Sequence, residues 1–329
     1  MSTLSHHLNK LRWVCLASIF VTLMFIPLAA IYQNYRAAHA YDLLNSSEKL
    51  LYDFMQSVTE PFISDPAKLD GLKGTTWSAS IRGWKISDPL AVVSQSAAVR
   101  SVNATFAVTA LLPLVTTLLI GRVFCGWICP ATLLYELNTN FALLLNRMGL
   151  PVHRWKLNKR IKYYVLFAGV VVTLLSGAMI LAAIYPPAII GREIYYAIAM
   201  QGLSSSAVFL LLTMVFDVLV ARRGFCRYLC PGGALYSLLG RYRLLRIERD
   251  VSRCNDCNRC NSICEFGLQP MQDGFGQECN NCAACIAICP TAALQFTLSS
   301  TDRSYQGPGL QGRNLQGVDY PSTIIATDR

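Results

Sequence analysis

Four long apolar stretches constrain the fold more than any other feature of this sequence. They run over residues 13–33, 102–121, 161–185 and 205–222. The hydrocarbon core of a bilayer is about 30 Å thick and needs ~20 mostly apolar helical residues to cross it, so each stretch qualifies or comes close. Because lipid leaves no backbone polar group a partner outside the chain, such stretches are expected to be helices. The sequence therefore predicts a membrane α-helical protein with a four-span bundle.

The overall composition agrees with this prediction. Hydrophobic residues make up 53% of the chain and charged residues 15%, whereas soluble domains are about a quarter charged. The net charge of +10 needs no nucleic-acid partner, because cytoplasmic loops of membrane proteins collect Lys and Arg. No nucleic-acid-binding motif accompanies the charge, so nucleic acid is not an expected partner.

The basic residues of the short connections predict the orientation. They cluster in residues 122–160 and at Arg222 and Arg223, whereas residues 186–204 carry only Arg192. The positive-inside rule then puts both termini in the cytoplasm of a multi-pass protein of the bacterial inner membrane. The predicted order is a cytoplasmic N-terminus (1–12), span one (13–33), a periplasmic segment (34–101), span two (102–121), a cytoplasmic loop (122–160), span three (161–185), a periplasmic loop (186–204), span four (205–222), a cytoplasmic segment (223–249), a ferredoxin-like domain (250–298) and a flexible tail (299–329).

Two cysteine runs within residues 250–298 carry the strongest chemical signal. Both follow the spacing C-x2-C-x2-C-x3-C, which in two-cluster ferredoxins places three thiolates on one [4Fe–4S] cluster and the fourth on the other. The fourth cysteine is expected to begin the helix that leads away from the run. We therefore expect a small α+β ferredoxin domain of the bacterial 2[4Fe–4S] type. Its predicted ligand sets are Cys254, Cys257, Cys260 and Cys289 for one cluster, and Cys279, Cys282, Cys285 and Cys264 for the other.

Two points qualify the ferredoxin interpretation. Zinc is the alternative, but zinc modules arrange their four ligands as two pairs separated by a longer loop. Glu265 follows the fourth cysteine of the first run where the pattern usually has proline, as it does at Pro290. A carboxylate there is expected to lower the reduction potential of the nearby cluster. Cys15 stands alone in the first apolar stretch, and we expect it to be a small buried hydrophobe.

A repeated motif follows the second and fourth apolar stretches. Residues 122–137 and 223–238 share R-x-F-C-x3-C-P-x3-L-Y-x-L, which indicates a bundle built as two repeats in parallel. Proline suits the first position of a new helix, so the second cysteine of each motif is expected at an N-cap, where thiolate is favoured. The four cysteines form a further metal or redox site or remain reduced thiols at a tight turn, and both readings stay open. They are Cys125, Cys129, Cys226 and Cys230.

Asp217 is an acid inside the fourth apolar stretch. An ionisable group in a membrane span is costly and usually has a partner or a function. One interpretation is an ion pair with Arg222, about one turn away. The other is a proton acceptor at a quinol site.

These residues together resemble the NapH/MauN group of ferredoxin-type membrane proteins. The resemblance rests on four spans, C-x3-C-P after the second and fourth, and two C-terminal cysteine runs, and it extends to Phe216-Asp217, to residues 226–239 and to residues 187–192. It implies a quinol-oxidising subunit, the membrane part of a quinol dehydrogenase, that draws on the quinone pool. The expected partners are the lipid bilayer and other redox subunits, ferredoxin-type or cytochrome.

Two other functions remain open on the sequence. One is a redox or maturation factor that supplies electrons for cofactor assembly in a partner enzyme, as in methylamine utilisation or oxidase and reductase biogenesis. The other is a membrane scaffold without redox chemistry. The cytoplasmic position of the predicted clusters favours the first of these over the second.

Overall fold

The chain is mostly helical, with two small antiparallel strand pairs. The computed structural model describes residues 2–39, 41–59, 78–81, 84–149, 157–272 and 274–299, so the predicted tail beyond Ser299 lies outside the described residues. The helices are α1 (Ser2–Ala37), α2 (Ser46–Thr59), α3 (Pro89–Val99), α4 (Ala104–Thr109), α5 (Leu111–Ile120), α6 (Pro130–Arg147), α7 (Ile161–Ser176), α8 (Ile180–Ile184), α9 (Pro186–Ala199), α10 (Ser206–Leu219), α11 (Gly224–Tyr228), α12 (Pro231–Leu239), α13 (Arg259–Ile263) and α14 (Ala284–Ile288). The strands are β1 (Ser78–Ile81), β2 (Trp84–Ser87), β3 (Leu245–Arg249) and β4 (Leu294–Leu298).

Among the described residues, one helix is both long and apolar enough to cross a membrane. This is α1, over His7–Ala37. Four shorter apolar helices accompany it: α3, α5, α7 and α10. The last three lie within predicted spans two, three and four, whereas α3 lies in a segment that we expected to be a periplasmic connection.

The third apolar stretch is not one straight helix, contrary to our prediction of a span over residues 161–185. Helix α7 ends at Ser176, and Gly177 adopts a left-handed conformation with φ 69°. The chain then turns back, so that Leu181 of α8 packs against Gly169, where a side chain would clash with it. Glycine allows this reversal because a left-handed turn costs it no steric strain. The second apolar stretch is likewise divided, at Ala110, into α4 and α5.

The two predicted periplasmic connections contain buried helices. Both α3 and α9 begin with a proline at the first turn, a position that lacks a helical partner for its N–H in any case. Their N-cap residues meet, since the Tyr185 hydroxyl donates to Asp88 Oδ2 at 2.9 Å. Helix α3 packs along α7, and Arg100 beyond its end donates to the carbonyl of Leu174. The sequence predicted two periplasmic connections here and did not predict these helices.

The ferredoxin-like module contains one strand pair and two short helices. Strands β3 and β4 pair antiparallel, with Ile247 opposite Phe296. Helices α13 and α14 pack against each other between them in the chain. A core of Ile247, Phe266, Phe275 and Leu294 fills the module together with buried cysteines. Since β3 belongs to this sheet, the module begins ahead of residue 250, where we had expected its boundary.

Residues that we expected on the cytoplasmic side meet one another at one end of the helices. Arg12 of α1 donates to the carbonyl of Gly126 and pairs with Glu136. The start of α7 contacts the module through Lys162 and Glu278. This end carries both C-x3-C-P motifs and the ferredoxin-like module, and the chemistry below is built there.

Candidate iron–sulfur centres

The two cysteine runs adopt the same backbone conformation. In the first, Asp256 and Asn258 on either side of the second cysteine have φ 51° and 59°; in the second, Asn281 and Ala283 have φ 52° and 61°. A left-handed conformation costs a residue with a Cβ about 1–2 kcal/mol, least for Asn and Asp. Four such residues in matching positions are retained because they turn three successive cysteines toward one centre.

In each run a short helix begins just before the third cysteine and ends at the fourth. Cys260 and Cys285 lie in the first turns of α13 and α14, while Cys264 and Cys289 are their C-cap residues. We had expected the fourth cysteine to begin the helix, and that detail was wrong. The short helix carries the fourth cysteine away from its own run, which is the displacement that ligation across the two runs requires.

One predicted ligand set lines a single cavity. Cys254, Cys257, Cys260 and Cys289 surround a space of about 320 Å³, together with Met271 and Leu294. Cys289 thus joins the first run although it belongs to the second. We call these four cysteines the distal set, because Cys257 is exposed to solvent at the far end of the module.

The other predicted set is more deeply buried. Cys279 and Cys285 are 6% and 8% exposed. Cys264, from the first run, lies close enough to Cys279 and Cys282 for their charges to interact. We call these four cysteines the proximal set, because they face the repeated motifs.

The arrangement of the distal set suits a cubane cluster. Among the described residues, no three side chains of Cys, His, Asp or Glu are placed to hold a single metal ion. A [4Fe–4S] cluster has one iron at each ligated corner and needs its four thiolates spread around a larger body. Four cysteines around a cavity, as in the distal set, have that arrangement.

The repeated motifs have matching geometry at their second cysteine. Cys129 and Cys230 are N-caps with φ and ψ of −65° and 118°, and −63° and 118°, and proline follows each at the start of the helix. The N–H of Cys129 donates to Phe124, and that of Cys230 to Phe225, both at 2.8 Å. The predicted N-cap positions are confirmed.

The motif cysteines are brought together inside the apolar core. Cys129 and Cys230 belong to one buried cluster, and Cys226 packs against it. Cys125 interacts electrostatically with both Cys129 and Cys230. Burial raises the pKa of the Cys230 thiol to about 12, although the N–H of Gly233 opposes this shift. The expected helix-terminus effect is therefore outweighed, and without a bound metal these thiols carry their protons.

The proximal set lies directly against the first motif. Trp127 donates its indole N–H to the carbonyl of Asn281 at 3.0 Å, and the Asn281 amide donates to the carbonyl of Ile120 at 2.7 Å. A side chain at Gly126 would lie 2.9 Å from the carbonyl oxygen of Asn280. Glycine here allows the motif backbone to approach the cysteine run closely.

Arg122 connects the first motif to Glu278, the residue before Cys279. Its Nη1 lies 2.8 Å from Glu278 Oε2, and its guanidinium also hydrogen-bonds Cys125. Lys162 pairs with the same carboxylate, and the Tyr163 hydroxyl donates to it at 2.8 Å. Burial favours the neutral acid, but Arg122 and Lys162 prevail and hold the pKa of Glu278 at about 2.

Arg223 occupies the same position in the second motif and pairs with Glu265, the residue after Cys264. It also contacts Glu136, which Arg12 shares. The expected lowering of the cluster potential by Glu265 is therefore reduced, because a buried guanidinium neutralises this carboxylate. The sequence pattern alone showed the charge and could not show its partner.

Asp217 lies at the motif end of α10 and is 5% exposed. Its Oδ1 accepts the N–H of Phe225 at 2.8 Å, and its Oδ2 has no hydrogen-bond partner among the described residues. A cavity of about 360 Å³ between α6 and α10 is lined by Asp217, Arg222, Asn138 and Asn146. Sequence reasoning did not identify the two asparagines, which are spaced along one helix and carry no motif.

Sequence reasoning also missed the charged groups around the proximal set. Arg12, Lys162 and Glu278 are each distant in sequence from the residues they contact. A charged residue beside an apolar stretch could have pointed to them. The positive-inside rule already accounts for such a residue, so it did not suggest a specific partner. Only Glu278, adjacent to a cysteine run, stood in a position that invited a specific role.

These cysteine sites are of the kind found in ferredoxin-type iron–sulfur proteins. A family model described as a 4Fe-4S binding domain matches residues 102–151 and 203–250. Each matched segment contains one C-x3-C-P motif, whereas the two longer cysteine runs lie outside both. The family match thus concerns the apolar helices and the C-x3-C-P motifs.

Comparison with curated proteins gives more specific similarities than the family model does. The methylamine utilization ferredoxin-type protein MauN of Methylorubrum extorquens is 32% identical over 197 residues, 59% of this chain and 65% of the relative. The ferredoxin-type protein NapH of Haemophilus influenzae is 30% identical over 181 residues, covering 54% of this chain and 60% of the relative. NapH of Escherichia coli is 32% identical over 182 residues, with shares of 54% and 60%. The chain spans less than two thirds of the length of these relatives, and no solved structure matches it. The chain matches the NapH/MauN-like family of ferredoxin-type proteins.

Proposed function

We propose that this chain is a multi-pass membrane electron-transfer subunit that oxidises quinol and passes the electrons to a redox partner. The observation that carries the proposal is the contact between the second cysteine run and the first motif. Asn280 and Asn281 of the second run lie against Gly126 and Trp127 of the first motif. Redox groups held by the proximal set and by the motif cysteines would be neighbours at the end of the helices.

The distal and proximal sets each hold one [4Fe–4S] cluster in this proposal. Such clusters supply one-electron transfer at potentials set by their charge, hydrogen bonds and solvent exposure. The chain's part is to hold the thiolates, through the left-handed turns at Asp256, Asn258, Asn281 and Ala283, and to exclude water from the proximal set.

The motif cysteines form a third metal or redox site. The family model that covers them is described as a 4Fe-4S binding domain, which supports an iron–sulfur centre over four idle thiols. Helices α6 and α12 both point their N-termini at this site, and the positive end of a helix stabilises thiolate and other negative charge. Because the thiols are protonated when free, metal binding would release protons.

Quinol is proposed to bind at the cavity between α6 and α10. Small-molecule sites combine apolar lining with a few precisely placed polar groups. Ala142 and Leu143 supply the apolar lining here. Asp217 Oδ2 is buried without a hydrogen-bond partner, so it is available to accept a quinol proton. Asn138 and Asn146 supply polar groups that would orient the ring.

The proposed topology places α1, α4–α5, α7 and α10 across the bacterial inner membrane. Both termini, the motifs and the ferredoxin-like module would lie in the cytoplasm. The contacts of Arg12, Gly126, Lys162 and Glu278 at one end support this arrangement.

The test combines iron and sulfide analysis with EPR on the purified full chain. Two [4Fe–4S] clusters give about eight irons per chain, and about twelve indicate a cluster at the motif cysteines as well. We expect more than eight, and reduction of the EPR-visible clusters by a water-soluble quinol. Fewer than eight irons would contradict the paired clusters, and full clusters that quinol does not reduce would contradict the quinol-oxidising role.

One observation favours a second function, delivery of electrons for cofactor assembly in a partner enzyme. The distal set ends at the exposed Cys257, which suits contact with a soluble cytoplasmic protein. Deleting the chain separates the two functions. A partner enzyme that keeps its cofactors but receives no electrons supports the quinol-oxidising subunit, whereas a partner that lacks its cofactors supports assembly.

A further inference from the structure

Two buried arginines form ion pairs with carboxylates that neighbour cysteines of the proximal set. Arg122 and Arg223 are the first residues of the two motifs and are 1% and 2% exposed. Arg122 pairs with Glu278, beside Cys279, and Arg223 pairs with Glu265. Each carboxylate is thus a sequence neighbour of a cysteine in the same predicted ligand set.

The two guanidinium groups also share an aromatic ring. Phe266 lies 5.3 Å from the guanidinium carbon of Arg122 and 5.9 Å from that of Arg223, measured to the ring centroid. An arginine within about 6 Å of an aromatic centroid is attracted to its face. Phe266 follows Glu265 directly and is 5% exposed, whereas the side chains of Glu265 and Glu278 are half-buried. The ring and both carboxylates together contact the buried motif arginines.

The distal set provides an internal contrast. At the position that Glu265 holds after Cys264, the second run has Pro290 after Cys289, and Pro290 is exposed. Cys289 belongs to the distal set, which does not face the motifs. The carboxylate therefore occurs only after the fourth cysteine that is turned toward a motif arginine.

A general preference for charge at a membrane surface does not explain this arrangement. Burying an ion pair costs desolvation, and such pairs are retained more for specificity than for net stability. Surface arginines would stay in water, whereas these two are inserted between the motifs and the module.

We propose that Arg122 and Arg223 are positioning residues that clamp the proximal set onto the motif cysteines and neutralise Glu278 and Glu265 beside it. The inference rests on the proposed iron–sulfur function. Here the arginines of the repeat fix where the module sits, and Glu265 replaces proline because it is the second arginine's partner. The clamp also sets the charge next to the cluster.

The test uses the Arg223–Glu265 pair in the purified full chain, with EPR-monitored redox titration. Arg223→Gln leaves Glu265 uncompensated, so the potential of the proximal cluster should fall. Glu265→Gln removes a negative charge beside the cluster while Arg223 keeps its pairing with Glu136, so the potential should rise. The double variant should return close to the wild-type value. Negative charge near a cluster disfavours its reduction, which fixes these signs.

Arg253→Gln is the matched control. Arg253 pairs with Asp250 at 3.2 Å beside the distal set, and its side chain is 53% exposed. This variant should leave the proximal potential unchanged. Amide hydrogen exchange over residues 261–268 reports position independently: Arg223→Gln should speed exchange there, and Arg253→Gln should not.

The outcomes separate the clamp from the proposed function. Wild-type protein without cluster signals would refute both. Full iron content with unshifted potentials, or with shifts of the same sign in both single variants, would overturn the clamp alone. If Arg223→Gln fails to accumulate, the rise expected for Glu265→Gln still decides, since an unchanged potential there contradicts the clamp.

Discussion

Glu278 shows how much of this molecule depends on single charged side chains. Its carboxylate receives Arg122, Lys162 and the hydroxyl of Tyr163, although it lies beside a cysteine run rather than within it. Removing one member of a buried charge group typically costs 3–5 kcal/mol, because the remaining charges stay buried without compensation. Replacing such a residue is therefore expected to destabilise the contact between the module and the helices.

Asp217 is the residue on which the quinol proposal can be tested most directly. We expect Asp217→Asn to lower quinol oxidation by about 10²–10⁴-fold, the usual contribution of a positioned proton acceptor. An amide retains an oxygen for the N–H of Phe225 but cannot take up a proton. The measurement is the rate of cluster reduction by quinol, with iron content as a check on folding.

Asp53→Asn is the control for this change, since Asp53 lies exposed on α2, away from the cavity. Quinol should reduce the clusters of this variant as fast as those of the wild type. An Asp217→Asn protein that holds its iron and oxidises quinol at the normal rate would contradict the proposed proton acceptor.

At the scale of elements, four helix N-termini converge in one core. Asp88, Cys129, Tyr185 and Cys230 are the N-caps of α3, α6, α9 and α12. In all four helices proline follows the cap at the first turn. Repeated proline starts let the chain begin helices inside the core, where each cap orients one polar or thiol group.

Helix α12 fits into this core only because it carries a glycine at the contact. A side chain at Gly232 would collide with the ring of Tyr185, whose hydroxyl binds Asp88. We expect Gly232→Ala to lower the free energy of unfolding by about 1–3 kcal/mol, the usual cost of overpacking. Thermal unfolding in detergent micelles measures this loss.

Gly202→Ala is the matched change, because the nearest atom to a side chain there is the Met200 carbonyl oxygen at 3.7 Å. Its melting temperature should stay near that of the wild type. Equal melting temperatures for the two variants would show that the contact with Tyr185 adapts freely.

The elements also show what sequence can and cannot predict. The cysteine runs could be identified from the sequence because their spacing follows from the ligation itself. The N-cap positions of Cys129 and Cys230 could be predicted from the prolines that follow them. The reversal at Gly177 could not be predicted, because residues 163–185 are mostly apolar and hydropathy does not distinguish one long helix from two packed pieces. Likewise, the buried partners of Arg122 and Arg223 lie far along the chain, where local patterns carry no information.

At the scale of the whole molecule, the described residues place the motif cysteines at one end of the apolar helices, followed by the proximal set and then the distal set. Cys282→Ala should therefore remove about four of the irons, since one ligand of one cluster is lost, while the distal cluster keeps its EPR signal. Iron analysis and EPR of the purified variant measure this.

Cys15→Ala provides the comparison, because Cys15 lies in α1 apart from all three groups of cysteines. Its iron content should equal that of the wild type. If Cys282→Ala also keeps every iron, Cys282 is not a ligand and the proposed proximal set is wrong.

The contacts of Glu278 have a consequence for biogenesis. They join residues 156, 116 and 115 positions apart, to Arg122, Lys162 and Tyr163. The ribosome synthesises Glu278 only after the helices that carry those partners. The module therefore binds to helices that are already present. Correct assembly then depends on one late event, in which the segment that carries Glu278 binds the helices made earlier. In a chain whose helices are misplaced, that segment lacks its partners.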